Sequence, residues 1–398
     1  MQFRTSSLAE VVAPRGLVGG PFGSNLGKRD YVADGVPVIR GQDLDHGRFV
    51  RFDDCVHVTP DKAESELRGN QALAGDLVFT QRGTLGQVAL MPKGAHYQRA
   101  VISQSQMRLR VDPALADPMY IYYACSTAAF NQKLLDSAIV TGVPHINLGI
   151  LSGLEIPLPR LAEQQRIAGV LGAFDDLIET NELQIRQVRE LSALAYRRAK
   201  AGNDQTMRLG DVVSVNPRQI KAGASSSLTY LDIASVGDGL VEFSDPIAWV
   251  DAPSRARRLA DPGSTIWSTV RPNRRAHALL VSTPDDLVVS TGLAVLTPQL
   301  IGPAELFAAT DEPEFVDYLM TRAEGSAYPA VRADTFEEAQ IARLTPEESE
   351  IFEAQIWPLW QIVDALQEEN RQLRRTRDEL LPLLMSGKIL VCDLEEAA

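Results

Sequence analysis

The sequence predicts an α+β fold in which two similar mixed α/β domains are separated by two long helices. These helices are expected to form an antiparallel coiled-coil spacer, as a pseudo-two-fold repeat. A long helical stretch with an asparagine near its middle occurs twice, around Asn181 and Asn370. Short runs of β-type residues, bounded by Gly, Pro and Asp, precede each stretch. The same order of segments in both halves indicates an internal duplication.

Composition indicates a chain of two globular domains without a membrane segment. The 398 residues are too many for one ordinary core, and the 45% hydrophobic and 23% charged content is typical of globular proteins. The sequence lacks a run of about 18 apolar residues, and its first residues lack the apolar stretch of a secretory signal. Three scattered cysteines, Cys55, Cys125 and Cys392, are typical of a reducing compartment. We therefore expect a cytoplasmic protein.

The predicted domain boundaries follow the repeat. They are 1–155 for the first domain, 156–202 for a central helical spacer, 207–343 for the second domain, 344–388 for a C-terminal helical spacer and 389–398 for a tail. In the first domain, the runs 36–39, 76–79, 87–90 and 107–111 predict strands, and 117–135 predicts a helix with Pro118 at its start.

The second domain repeats the first with its apolar frame kept and its polar residues exchanged. Residues 75–80 match 263–268, and Ser103-Gln104 matches Ser290-Thr291. The loop Arg82-Gly83-Thr84 is aligned with Arg271-Pro272-Asn273. A shared scaffold with different surface chemistry is typical of two domains that recognise two different targets.

Both helical stretches carry a stripe of residues at alternating spacings of four and three. The predicted coiled-coil or subunit-interface residues are Phe174, Leu177, Asn181, Val188 and Leu191 in the first helix, and Val363, Leu366, Asn370, Leu373 and Leu380 in the second. An amphipathic helix packed on its own domain would show a similar stripe. The asparagine at the same place in both stripes favours the coiled coil, because a buried Asn commonly fixes register.

The net charge of −13 argues against nonspecific binding to nucleic acid. The whole excess of acidic residues falls after residue 207, however, while the first half is balanced. Local basic clusters therefore carry more information than the total charge.

Several short stretches carry a family resemblance, and they occur in a fixed order. They are Gly20-Pro21-Phe22-Gly23-Ser24, 35–40, 75–78, 82–86, and Ile156-Pro157-Leu158-Pro159 followed by 163–167. Together with the duplicated helix, they make the chain resemble the DNA-specificity subunit of Type I restriction-modification systems over essentially its whole length. The second copy departs more from the pattern, since the run Glu163-Gln164-Gln165 becomes Glu347-Glu348-Ser349.

The resemblance implies two target-recognition domains, each of which reads one half of a bipartite site in double-stranded DNA. It also implies methyltransferase subunits (two of them) and restriction-translocase subunits as partners, with no membrane partner. The chain itself is then a non-catalytic recognition subunit without a cofactor, and S-adenosylmethionine, ATP and Mg²⁺ are implied for the partner subunits.

Polar residues on predicted loops are the candidate DNA contacts, because Arg, Asn and Gln side chains suit base edges while Arg, Ser and Thr suit phosphates. The candidates are Arg40, Gln42, Gln81, Arg82, Thr84, Gln104, His145 and Asn147 in the first domain, and Arg271, Asn273, Arg274, Arg275, Thr291 and Tyr328 in the second. The densest cluster is 271–275. Each arginine taken alone is more often a solvated surface charge.

No catalytic constellation is found in the sequence. The glycines around Pro21 do not form a phosphate-binding loop, and the histidines form no pair at metal-ligand spacing, so no metal site is predicted. Three alternatives remain: the recognition subunit of a related phage-defence methylation system, a single-chain nuclease or methyltransferase, and a coiled-coil scaffold that does not read DNA.

Overall fold

The computed structural model describes residues 3–44, 47–94, 96–221, 223–325 and 328–391. Contacts within the chain divide it into two compact units, Met1–Ile178 with Gln372–Ala398, and Glu179–Arg371. Each unit contains one mixed α/β domain and a part of both long helices. Cys392 and the predicted tail from 392 onward lie outside the described residues.

The first unit combines short strands and short helices with a part of each long helix. Its strands are β1 Arg4–Ser7, β2 Val12–Gly19, β3 Val36–Ile39, β4 Val56–Val58, β5 Gln71–Leu73, β6 Leu77–Thr80, β7 Val88–Leu90, β8 Arg99–Ile102, β9 Gln106–Val111 and β10 Glu155–Leu158. Its helices are α1 Pro60–Glu64, α2 Pro118–Ser126, α3 Ala128–Asp136, α4 Leu148–Gly153 and the start of α5 Leu161–Ala199. The predicted strands at 36–39, 76–79, 87–90 and 107–111 are confirmed as β3, β6, β7 and β9.

The second unit repeats this element order. Its strands are β11 Thr206–Arg208, β12 Val213–Val215, β13 Ser227–Leu231, β14 Ile247–Ala248, β15 Ala256–Arg258, β16 Thr265–Ser268, β17 His277–Leu279, β18 Leu287–Ser290, β19 Leu293–Pro298 and β20 Gln340–Ala342. Its helices are α6 Leu209–Val212, α7 Pro303–Asp311, α8 Pro313–Arg322, α9 Ala333–Glu338 and the start of α10 Pro346–Met385.

The sheets show that the two domains are copies of one design. The first domain has four-stranded sheets in the orders β2-β9-β6-β7 and β4-β3-β8-β5, and the second has β12-β19-β16-β17 and β14-β13-β18-β15. In each domain a short antiparallel pair, β1-β10 or β11-β20, joins the beginning of the domain to its end. One pair at the centre of each second sheet is parallel, β3 with β8 and β13 with β18.

The predicted helix 117–135 is corrected to two helices that meet at Thr127. This residue has an extended backbone, and its hydroxyl accepts a hydrogen bond from the backbone N–H of Phe130 at 3.2 Å. Threonine is a favoured N-cap because its oxygen satisfies a backbone donor that the first turn leaves unpaired. The apolar spacing continues through the break, so the pattern alone predicts one helix. The second domain shows the same break between α7 and α8.

Large buried side chains from the sheets, the short helices and the long helices form the core of each unit. In the first unit Phe79, Tyr120 and Leu171 share a core with Leu384. In the second unit Trp267, Phe307, Phe336 and Trp360 do the same. Burial of each such side chain contributes about 1.5–3 kcal/mol, so the long helices are integral to both cores.

The helices α5 and α10 run antiparallel within each unit. In the first unit, Asp175 of α5 accepts hydrogen bonds from Arg377 of α10 at 2.5 Å and from the Tyr123 hydroxyl at 2.5 Å. In the second unit, Asn181 donates to Asn370 Oδ1 at 2.9 Å, and Trp360 approaches the Ser192 hydroxyl at 3.4 Å.

The pairing of the two asparagines in a buried position agrees with the predicted register. Both side chains are 3% exposed. The other predicted residues of α10, from Val363 to Leu380, are buried or half-buried.

The stripe of α5 requires a correction at two positions. Leu177 and Leu191 are 40% and 50% exposed, whereas their neighbours Ile178 and Ser192 are buried. A helix with 3.6 residues per turn can continue a face through either of two adjacent positions. Spacing alone therefore does not decide between Leu177 and Ile178, and it favours Leu191 over the less apolar Ser192. Phe174 and Val188 are half-buried. A role of Leu177 and Leu191 in contact with another subunit stays a prediction.

None of the described helices combines the length and the apolar content required to span a bilayer.

The asparagine pair generates a stability prediction. Asn181→Leu removes the hydrogen bond that Asn181 donates to Asn370 Oδ1. We expect the free energy of unfolding to fall by about 1–3 kcal/mol. The double variant Asn181→Leu/Asn370→Leu should recover part of that loss, because both buried polar groups are replaced together. Urea unfolding of the full chain measures both values. Gln184→Leu, at an exposed position of the same helix, is the control. A double variant less stable than the single one would contradict the prediction.

Candidate DNA interface

In each domain, polar side chains follow the two parallel strands at the point where those strands end. Arg40 follows β3 and Gln104 lies two residues beyond β8, whereas Asp232 and Thr291 directly follow β13 and β18. Parallel strands bring their carboxyl ends to the same edge of a sheet. This edge therefore occupies an equivalent position in the two domains, but it carries different side chains in each.

Two further loops join this edge through backbone hydrogen bonds. In the first domain Gln81 N donates to Ser105 O at 2.7 Å, Ile146 N to Gln81 O at 3.0 Å, and Gly83 N to Pro144 O at 3.3 Å. The loops 80–84, 103–105 and 143–146 are thereby adjacent. Of the predicted contacts, the structure brings Gln81, Arg82, Thr84, Gln104 and His145 to this region.

The second domain closes the same edge with the same bonds. Thr269 N donates to Gly292 O at 2.9 Å, Val331 N to Thr269 O at 2.9 Å, and Arg271 N to Pro329 O at 2.7 Å. In this pattern of backbone hydrogen bonds, Arg271 of the second domain occupies the position of Gly83 in the first domain. The sequence alignment, which set Arg82 opposite Arg271, is therefore corrected by one residue.

The loop of the first domain presents a cation to solvent. Arg82 and Thr84 are exposed, and their side chains make no hydrogen bond or ion pair with the part of the chain that the structure describes. Gly83 between them has φ +103°, a backbone conformation that glycine adopts without strain. Gln42 is also exposed, while Gln81 is half-buried.

Other predicted contacts of the first domain already have partners inside the protein. Arg40 donates to Asp54 O at 3.0 Å and lies 3.9 Å from the Asp43 carboxylate. Gln104 donates to Leu26 O at 3.1 Å. Asn147 caps α4 by accepting from Ile150 N at 2.8 Å, and His145 Nδ1 lies 3.1 Å from Val143 O. These four side chains hold the loops, and their contact with DNA stays a prediction.

In the second domain the run 271–275 forms a tight turn. Residues Pro272–Arg274 form a single 3-10 turn, and both flanking arginines have positive φ, +51° for Arg271 and +53° for Arg275. Arg271 lies 4.1 Å from the ring centre of the exposed Tyr328, a cation–π distance. Asn273 and Arg274 at the tip of the turn are exposed, as is Thr291.

The side chain of Arg275 lies in an ion-pair network. Its guanidinium pairs with the Asp311 carboxylate and lies 3.4 Å from Asp238. Arg189 of α5 lies 2.9 Å from Asp238 and 3.7 Å from Asp311. His277 is fully buried, with Nε2 2.8 Å from Asp311 Oδ1 and Nδ1 2.8 Å from Arg275 O.

Burial by itself raises the pKa of the Asp311 carboxyl. The hydrogen bond from His277 and the charges of His277, Arg189 and Arg275 outweigh burial, so the pKa of Asp311 lies below its usual range. Ligand-type atoms of Asp238, His277 and Asp311 lie within 4.8 Å of one another, a spacing that could hold a metal. Both carboxylates already have guanidinium partners, so this cluster is an ion-pair network.

Sequence reasoning missed Asp311 and His277. Asp311 lies 36 residues after Arg275 at the end of α7, and neither residue belongs to a motif. The only sequence signal was the buried β-type run around His277, which does not reveal its partner.

A cysteine and a histidine meet in the first domain. Cys55 Sγ lies 3.6 Å from His57 Nε2, which is also 3.0 Å from the Tyr97 hydroxyl. Burial, together with the nearby Asp43 charge, raises the pKa of the Cys55 thiol and favours its unreactive form. Burial raises the pKa of the Cys125 thiol as well. Both thiols are therefore expected to be unreactive at neutral pH.

The duplicated strand-end sites present different polar side chains on one scaffold, and comparison with known proteins identifies the class of protein that they resemble. Residues 35–190 match the family model of the Type I restriction modification DNA specificity domain. The chain is 21% identical over 393 residues to the Type I restriction enzyme MjaIX specificity subunit of Methanocaldococcus jannaschii, covering 92% of this chain and 89% of that protein.

Two further proteins extend the comparison. The Type I restriction enzyme MjaVIII specificity subunit of the same organism is 21% identical over 348 residues, which cover 80% of each chain. The fold is similar to that of the Type-I restriction-modification system S subunit from M. genitalium, with a TM-score of 0.59, 16% identity, and coverage of 97% of this chain and 96% of that one. Residues 35–190 therefore form a Type I restriction modification DNA specificity domain, whose function is DNA sequence recognition, and the chain is similar over most of its length to specificity subunits of Type I restriction enzymes.

The Asp311 network generates a pH prediction. Because the folded-state pKa of Asp311 lies below its ordinary value of about 3.9, its stabilisation is fully present above about pH 4 and is lost as the pH falls through the folded-state pKa. Asp311→Asn should therefore lower the free energy of unfolding at pH 7 by about 3 kcal/mol, and the difference from the unmodified protein should shrink in acid. Denaturant unfolding between pH 2 and pH 8 measures this, with Asp245→Asn at an exposed site as the control. A difference independent of pH would contradict the prediction.

Proposed function

We propose that this specificity subunit recognises a two-part DNA site, with one part read by each domain. The observation that carries the proposal is the repeated strand order, which places different polar side chains at one edge of the fold. Arg40 of the first domain corresponds to Asp232 of the second, Gln104 to Thr291, and Gly83 to Arg271. Base edges are distinguished by their pattern of donors and acceptors. Two edges with different side chains would therefore read different sequences.

The catalytic work would belong to partner subunits, so that this chain acts as a non-catalytic recognition component. We propose two methyltransferase subunits and restriction-translocase subunits as partners, with S-adenosylmethionine, ATP and Mg²⁺ bound by them. The chemistry of the second domain's carboxylate cluster supports this division, because Asp238 and Asp311 are bound by guanidinium groups. The raised pKa of the Cys55 thiol supports it too.

The charge of the chain supports a shared DNA interface. With 39 Lys and Arg residues against 52 Asp and Glu residues, the chain has a net charge of −13, so its overall charge opposes binding to DNA phosphates. Phosphate contacts supply most of the affinity of nonspecific DNA binding and a large share of specific binding. Methyltransferase subunits would supply the missing phosphate contacts, while this chain would supply the base contacts.

This division generates a binding prediction. The isolated chain should bind its site weakly, and the complex with methyltransferase subunits should bind it with at least about 1000-fold preference over unrelated duplex, the lower end of the specific range. Fluorescence anisotropy at a fixed salt concentration measures both affinities. Equally tight, sequence-specific binding by the isolated chain would contradict the division of contacts.

A second prediction concerns the two halves of the site. In cells that express the complex, methylation sequencing should yield a two-part motif. The double variant Arg82→Gln/Thr84→Ala should relax or abolish the first half only, because both exposed side chains lie at the reading edge of the first domain.

The matched control is Arg4→Gln, which removes an exposed arginine of the same domain from strand β1, outside the reading loops. The control should leave the motif unchanged. If the double variant also leaves the motif unchanged, Arg82 and Thr84 do not read DNA. Wild-type complex without any sequence preference would overturn the proposed function and favour the scaffold alternative.

A further inference from the structure

The cluster 271–275 contains arginines in two different environments. Arg274 is exposed at the tip of the turn, and its side chain has no ion pair with the described part of the chain. Arg275, the next residue, has a side chain that is 28% exposed, and its guanidinium is directed to Asp311 and Asp238. The side chain of Arg274 therefore points to solvent, whereas that of Arg275 points into the domain.

Arg275 is held by both the carboxylate and the backbone oxygen of Asp311. Besides the carboxylate, its guanidinium donates to the backbone oxygen of Asp311 at 2.9 Å, at the last residue of α7. Asp311 in turn accepts from His277, which is stacked 4.1 Å from the Trp267 ring in the core. A guanidinium held by both a carboxylate and a carbonyl has few donors left for DNA.

This attachment lies at one end of a strained turn. Arg271 and Arg275 both have a left-handed backbone, which side chains with a Cβ rarely adopt. Such residues persist where the surrounding structure over-determines them. The buried Pro272 and the Arg275–Asp311 pair supply that constraint, and the turn is thereby held with Asn273 and Arg274 outward.

Arg274 lines a groove together with a second unpaired arginine. The groove has a volume of about 670 Å³ and includes Arg255, Arg274, Tyr230, Asp232 and Ser290. The Asp232 carboxylate accepts hydrogen bonds from the backbone N–H groups of Ala234 and Ser235. Its lining also includes apolar side chains, among them Ile233. Arg255 is exposed and makes no ion pair within the ranges that the structure describes. The groove lies at the ends of β13 and β18, the edge already described.

We propose that Arg255 and Arg274 are the DNA contacts at this groove, and that Arg275 and Asp311 are positioning residues that hold the turn without touching DNA. This assignment rests on the proposed function of the second domain, adds Arg255 to its reading residues and removes Arg275 from them. Two guanidinium groups without a carboxylate partner in the described part of the chain complement the negative charge of DNA, and the apolar side chains that also line the groove suit a sugar or a thymine methyl group.

The test compares neighbouring arginines in the full chain bound to methyltransferase subunits. The variants are Arg255→Gln, Arg274→Gln, Arg275→Gln and Asp311→Asn, with Arg208→Gln as an exposed control of the same domain away from the groove. Two quantities are measured for each complex. They are the affinity for a duplex that carries the methylation motif and the midpoint of thermal unfolding.

Arg255→Gln and Arg274→Gln should each weaken binding by roughly 5- to 150-fold, the range of one good base contact, with an unchanged unfolding midpoint. The wild-type complex should bind more weakly to a duplex that is altered in the second half of the motif. The two variants should bind that altered duplex and the unaltered one with similar affinity. Arg275→Gln and Asp311→Asn should lower the unfolding midpoint, and Arg275→Lys should restore most of it, because an ammonium can still pair with Asp311.

A double-variant cycle separates the two roles. Arg275→Gln combined with Asp311→Asn should have an effect on the unfolding midpoint well below the sum of the single effects, because the two residues share one interaction. Arg274→Gln combined with Asp311→Asn should give the sum of its single effects.

Two results would overturn the assignment while leaving the proposed function intact. One is a loss of DNA affinity in Arg275→Gln with an unchanged unfolding midpoint, and the other is wild-type affinity in both Arg255→Gln and Arg274→Gln. Absence of any sequence preference in the wild-type complex would instead remove the proposed function itself.

Discussion

The pairing of buried polar groups between α5 and α10 is the constraint on which both units depend. Asp175 with Arg377 in the first unit, and Asn181 with Asn370 in the second, are hydrogen-bonded at 2.5 Å and 2.9 Å. A buried polar atom that loses its hydrogen-bond partner destabilises the folded state by about 1–3 kcal/mol. A shift of either helix along the other would therefore lower the stability of the fold. Apolar contacts tolerate such shifts far better. The polar pairs therefore fix the antiparallel register within each unit, and each core packs onto that register.

On this framework each domain repeats one arrangement of strands while its exposed residues differ. The parallel pairs β3-β8 and β13-β18 bring loop residues together at one edge, and equivalent backbone hydrogen bonds close that edge in both domains. Backbone bonds do not depend on side-chain identity. The side chains at the edge can consequently change without disturbing the fold, which suits a protein whose function is to recognise DNA sequence.

The two helical stripes show how far sequence patterns reach. The asparagines at 181 and 370 identified the pairing position correctly, because a polar residue in an apolar stripe is conspicuous. Leu177 and Leu191 were predicted to lie on the buried face of the helix pair, yet Ile178 and Ser192 are buried instead. The break at Thr127 was missed for a related reason, since apolar spacing continues through a single capping residue.

The candidate interface was predictable in location but only partly in detail. Its loops stand out as Gly- and Arg-rich segments between strands, and Arg82 and Arg274 are exposed as expected. Arg275 belongs to the same basic cluster, but it is bound by Asp311. A charge cluster in sequence carries no information about an acid 36 residues away.

The sequence by itself determined the duplication, the strand-rich domains, the two long helices and the family resemblance, because periodicity and motif order can be read directly along a chain. Only the tertiary structure decided which arginines face outward, which residue of the second loop corresponds to Gly83, and which helix positions are buried. Those features depend on hydrogen bonds and ion pairs between residues far apart in sequence, such as Arg275 with Asp311 and Asn181 with Asn370. Their geometry exists only after the strands and helices have packed.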